Sequence, residues 1–183
     1  MELLDWFNKG LTPEAYIEGM NVNKDEMNKI YSAYSLNSEE QEQIQAIKDK
    51  GLKVIVLSED WCGDAMLNNP ILLKLAEAAE MDVRFILRDQ NLELMDQYLT
   101  NGTSRAIPIF IFIDQDGEEK AVWGPRAEKL QELVTSERGK LPDQESPDFK
   151  DKQMDMYKGL KARYLQEEEL WHTVAGSILA SLK

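Results

Sequence analysis

The sequence predicts an α/β fold: a central mixed sheet with helices on both faces, preceded by a helical extension and followed by a long helix. Three observations carry this. Runs rich in apolar, β-branched residues recur at 52–57, 82–88 and 107–113, too short for ordinary helices and apolar enough for buried strands. Stretches with helical spacing separate them and are long enough for the crossovers that parallel strands require. The turn Asp114-Gln115-Asp116-Gly117 then leads the third run into a fourth strand at 118–123, a hairpin connection.

Taken in order, residues 1–50 read as short helices. Thr12 is placed to N-cap one, with Pro13 at its first position. Met27, Ile30, Tyr31 and Tyr34 mark a second, and Ser38 is expected to cap a third that Gly51 stops. Residues 51–140 hold the sheet, with helices expected at 62–80, 92–99 and 126–138. Residues 141–147 form a polar, proline-containing linker. Residues 149–182 then read as one long helix with Met156, Leu160, Tyr164, Trp171, Ile178 and Leu179 at its apolar positions, packed on the domain.

Composition narrows the function. The net charge is −13 and the sequence pI about 4.6, which excludes the basic surfaces that nucleic acid and anionic membranes demand. One cysteine excludes an internal disulfide, and one histidine excludes the usual Cys/His zinc sites. Asp114 to Gly117 has part of a calcium-loop pattern, but Pro125 stands where the closing Glu would be, so it reads as a turn. His172 reads as a surface or capping residue. No organic cofactor or metal is expected. Met1-Glu2-Leu3-Leu4-Asp5 lacks the features of a signal peptide, and the expected location is cytoplasmic.

The most informative stretch is Glu59-Asp60-Trp61-Cys62-Gly63-Asp64-Ala65, where a buried strand hands over to a helix. The only cysteine therefore sits where unpaired backbone N–H groups and the positive end of the helix dipole favour a thiolate, the reactive form. Glu59, Asp60 and Asp64 oppose this as like charges. If they face solvent they are screened, and the sequence predicts a modestly depressed Cys62 pKa.

Here the chain resembles the thioredoxin family over residues 51–140. Trp61-Cys62-Gly63 is similar to the start of the family's Trp-Cys-Gly-Pro-Cys motif. Pro70 follows Cys62 by eight residues, Asp89-Gln90-Asn91 ends the second strand, and Arg105-Ala106-Ile107-Pro108 is similar to the family's Arg-Gly-Ile-Pro. The resemblance implies a thioredoxin-like three-layer fold and a cis bond at Pro108. It also implies Cys62 as the nucleophile, with a groove made by Trp61, Gly63, Asp64, Ile107 and Pro108, where the backbone of Ile107 pairs with a bound chain. Asp60 and Arg105 are candidate electrostatic influences, Arg105 by approaching the Cys62 side of the sheet.

Departures from the family shape the expected function. Ala65 stands where the family has its second cysteine, so a mixed disulfide on Cys62 has no internal thiol to resolve it. Val56 and Phe85 stand where the family has a buried aspartate and a lysine; replacing both members of such a pair is tolerable, whereas removing one is not. The resulting expectation is a monothiol protein of thiol–disulfide exchange. Its partner would be a disulfide-containing protein or a low-molecular-weight thiol. The rival readings are a redox-inactive module binding peptide or protein, and a transferase using a small thiol as cosubstrate.

Overall fold

A computed structural model describes residues 1–183. Strands β1 (Lys53–Ser58), β2 (Asp82–Leu87), β3 (Ile109–Ile113) and β4 (Glu119–Trp123) form one sheet in the order β2-β1-β3-β4. β1 and β2 are parallel, with Val56 opposite Phe85; β3 runs antiparallel to both β1 and β4. The strands alternate as a sheet buried on both faces must. Val54, Val56, Phe85, Phe110 and Phe112 enter the larger core cluster, while Ile55, Leu57, Ile86, Ile109 and Ile111 enter the smaller one.

Before the sheet come α1 (Leu3–Lys9), α2 (Pro13–Glu18), α3 (Lys24–Ala33) and α4 (Ser38–Ile47). α1 puts Trp6 and Phe7 into the smaller cluster, which α6 (Leu92–Met95) closes with Leu94 and Met95. After α1, Leu11 exchanges two backbone hydrogen bonds of 2.8 Å with Phe85, which pairs part of the outer edge of β2. Thr12 caps α2 as expected, its hydroxyl accepting from the Ala15 amide at 3.2 Å. The cap of α4 is Asn37 rather than Ser38. Asn37 accepts from the Glu40 amide at 2.8 Å and Glu40 accepts from the Asn37 amide at 3.2 Å, a reciprocal box that starts the helix one residue early.

The crossover between β1 and β2 is α5 (Gly63–Ala79), buried on almost every side and running through Pro70. That fits its position between the sheet and α3, α4, α8 and α9. After β2 the chain shortens two expectations. α6 ends at Met95 instead of Leu99, giving way to turns, and β3 begins only at Ile109, after a cis Ile107–Pro108 bond. Past β4, Gly124 has φ +131° and lies so close to Pro108 that a Cβ there would stand 2.2 Å from the Pro108 carbonyl oxygen. Only glycine allows that approach. α7 (Glu128–Gly139) follows.

The single C-terminal helix expected over 149–182 is two helices, α8 (Phe149–Gln166) and α9 (Glu168–Ala180), broken at Glu167 with φ −93° and ψ 95°. A side chain takes a ladder acceptor at the break. The Trp171 indole N–H donates to the Tyr164 carbonyl at 2.7 Å, an acceptor that a continuous helix would give to the amide four residues on. Both helices add residues to the larger core cluster.

His172 also departs from its expected surface role, because α9 presents it to a buried carboxylate. Its Nδ1 lies 2.7 Å from Glu40 Oε2, while Glu40 Oε1 accepts from the Tyr34 hydroxyl at 2.7 Å. Burial alone would lower the His172 pKa, but Glu40, and Glu168 behind it, outweigh that and hold it above its ordinary 6.5. A raised folded-state pKa gives stability that is complete below about pH 6.5 and is lost as pH rises through the folded value. Thermal melts should therefore fall by about 2–4 °C, for about 1 kcal/mol or less, from pH 6 upward through this titration. The same series on His172→Gln should lose that component.

Candidate active site

Cys62 is the N-cap of α5, held at the end of β1 on one side and against the Pro108 turn on the other. Its Sγ donates to the Ile107 carbonyl at 3.4 Å. The Asp64 and Ala65 amides face the sulfur as a helix N-terminus dictates, and with Arg126 they favour the thiolate. Burial opposes them most strongly, followed by the Asp64 carboxylate, and the Cys62 pKa lies above its ordinary value. This reverses the depressed value expected from the sequence. Local sequence shows the helix amides; it does not show that distant segments cover the sulfur and desolvate it.

Asp64 does not sit in solvent. Its Oδ2 pairs with Arg126 at 2.7 Å, both side chains being largely buried, and its Oδ1 accepts from the Tyr164 hydroxyl at 3.2 Å. Arg126 also donates from Nη1 to Gln131 at 2.8 Å, leaving its buried Nε without an acceptor. Arg126 and Tyr164 are the site neighbours that sequence reasoning missed. Arg126 is read there only as the start of a helix, and Tyr164 only as an apolar position. Their one cue is adjacency to Gly124-Pro125 and to a helical stripe, which does not point to Cys62.

Two expected influences lie elsewhere. The Asp60 carboxylate accepts from the Asn21 and Val22 amides at 2.7 and 3.2 Å, tying the site loop to the link between α2 and α3. Arg105 makes a two-pronged pair with exposed Asp96, at 2.8 and 3.1 Å. The cation facing Cys62 is Arg126, not Arg105. Trp61 is half exposed, with the Arg88 guanidinium 4.9 Å over its ring, and Gly63 has open space where a Cβ would be. Trp61, Cys62, Gly63 and Asp64 line one cavity of about 530 Å³, which Ile107 and Pro108 do not line.

Cys62 packs against the smaller core cluster; the other face of the sheet, toward the larger cluster, is also apolar. Val56 and Phe85 are fully buried, and the Tyr16 ring stacks on Phe85 at 4.1 Å between centroids. The Tyr16 hydroxyl bonds Ser58 Oγ at 2.9 Å, and Asn69 donates to the same oxygen at 3.0 Å. Burial pushes the Tyr16 phenol up to about 12, so it is neutral in the working pH range.

A family model described as thioredoxin matches residues 10–138, more than half of the chain. The chain belongs to the thioredoxin family. Two solved structures share the thioredoxin fold over the full length of the chain. One is the crystal structure of a protein of unknown function from Pseudomonas aeruginosa, with TM-score 0.73, 16% identity, and coverage of 100% of this chain and 97% of that one. The other is an HIV epitope-scaffold, with TM-score 0.70, 17% identity, and coverage of 100% and 98%. At these identities the likeness shows the fold alone. No curated protein matches the chain in sequence. No helix of this thioredoxin-family protein is long and apolar enough to cross a membrane.

Proposed function

We propose that this thioredoxin-family chain works by monothiol chemistry, Cys62 forming mixed disulfides that an external thiol resolves. The observation that carries the reading is the placement of its single thiol. Cys62 stands at the N-terminus of α5, on the wall of a cavity open to solvent, with the Asp64 and Ala65 amides facing the sulfur. In the forward step the Cys62 thiolate, its proton released to water, attacks one sulfur of a disulfide and expels the other as a thiolate. In the return step an external thiolate attacks the partner sulfur of the mixed disulfide and expels Cys62. A thiol of raised pKa is a strong nucleophile once ionised and a slow leaving group, which favours a long-lived mixed disulfide over rapid turnover.

One observation favours a second reading. The desolvated thiol bonded to the Ile107 carbonyl also suits a redox-inactive module that binds a peptide or protein. Alkylation of Cys62 against pH separates the two. Under the thiol reading the native midpoint lies above that of the unfolded chain, about 8.5, while the rate at high pH approaches the unfolded one. A native protein that stays unlabelled above the midpoint, while the unfolded chain labels, removes the thiol reading and favours the binding one.

A further inference from the structure

The cavity beside Cys62 says what kind of disulfide the site takes. Its volume of about 530 Å³ falls in the range of about 300–1,000 Å³ usual for small-molecule sites. One wall is α8, which lies outside the matched span 10–138 and contributes Tyr157, Leu160, Lys161 and Tyr164. Val22, from the link that Asp60 ties down, forms part of another. Ile107 and Pro108, whose backbone an extended chain would follow, are not on this lining, so the hollow is a separate space on another side of the sulfur.

The chemistry of the lining is equally selective. More than half of the lining residues are hydrophobic. The one anion on it, Asp64, has both oxygens engaged, by Arg126 and by Tyr164. The Lys161 ammonium donates to Asn23 Oδ1 at 3.0 Å, lies 3.4 Å from Glu26, and remains partly exposed. Against the chain's net charge of −13, the partly exposed Lys161 ammonium sits on this apolar wall while its neighbour Glu26 lies off the lining, so within the cavity the local charge favours a ligand carrying an anionic group.

We propose that this cavity binds a low-molecular-weight disulfide, or the thiol it is made from, with an apolar body and an anionic group directed to Lys161. The proposal rests on the monothiol reading of Cys62. The small disulfide enters the cavity, and the Cys62 thiolate attacks the nearer sulfur. The sulfur–sulfur bond breaks, the departing half leaves as a thiolate with the electron pair, and the retained half stays seated as Cys62–S–S–R.

The test measures rates of mixed-disulfide formation on the full chain, each divided by the rate of the same probe with the unfolded chain. The probes are 5,5′-dithiobis(2-nitrobenzoic acid), aromatic and anionic; 2,2′-dithiodipyridine, aromatic and neutral; cystamine, cationic; and insulin, a protein disulfide. The expected order is the aromatic anion first, then the neutral aromatic, with cystamine and insulin slowest. Lys161→Met should slow the anionic probe about fivefold, the effect of one partly exposed charge, and leave the neutral probe unchanged. Val22→Trp, at a half-exposed position on the lining, should slow both aromatic probes. Insulin reacting faster than the aromatic disulfides, or Lys161→Met leaving the rate of the anionic probe unchanged, would overturn the proposal while the thiol reading stands. If no disulfide reacts with the native protein, the thiol reading itself fails.

Discussion

Val56→Asp should lower the melting temperature by about 10–15 °C, corresponding to about 3–5 kcal/mol. Val56 is fully buried in β1 between two other strands, opposite Phe85 in register and inside the larger apolar cluster. A carboxylate there is left unpaired, and its folded-state pKa must rise, so the loss should be larger at pH 8 than at pH 5. Adding Phe85→Lys should recover part of the loss by supplying a charge partner across the register. Recovery stays incomplete because the Tyr16 stack on Phe85 disappears with the ring. Thermal melts of the two variants at both pH values check this. A Val56→Asp protein as stable as the original would show that the cluster is wetter or looser than its burial indicates.

Asp64→Asn and Arg126→Gln should move Cys62 in opposite directions. Asp64 raises the Cys62 pKa as a like charge and Arg126 lowers it, both acting from a largely buried pair 2.7 Å apart. Asparagine keeps an acceptor for the Tyr164 hydroxyl and removes the charge, so alkylation at pH 7.5 should speed up about threefold to tenfold. Arg126→Gln leaves the carboxylate without its cation. Alkylation should slow by a similar factor, and the fold should lose about 2–3 kcal/mol. The double variant should return alkylation close to that of the original protein, because the two opposed charge effects on Cys62 cancel. Alkylation rates with thermal melts on all three variants supply the readout. Parallel rather than opposite shifts would mean that the pair only shapes the loop.

What the sequence makes legible is what is local. The three buried strand runs, α5 and the turn after β3 each occupy a short window whose apolar spacing has one reading. Trp61, Cys62, Gly63 and Asp64 stand in consecutive positions, so their gathering at one helix start could be read directly. The break at Glu167 could not. No Gly or Pro marks it; the Trp171 indole, seven residues beyond Tyr164, takes the Tyr164 carbonyl there. Arg126 and Tyr164 reach Asp64 from 62 and 100 residues along the chain, a separation that periodicity does not resolve. The raised Cys62 pKa is not legible for the same reason, because the burial that dominates it comes from tertiary packing. His172 differs from its expected surface role because its partner, Glu40, lies 132 residues away.

The most direct test of the monothiol reading is intact mass spectrometry of the native protein through one cycle of exchange. The protein is incubated at pH 8.5 with oxidised glutathione and then with excess β-mercaptoethanol. The account predicts one adduct per chain in the first step, absent in Cys62→Ser, and its complete loss in the second step with recovery of the starting mass. Native protein that stays unmodified under conditions where the unfolded chain gains the adduct would contradict it.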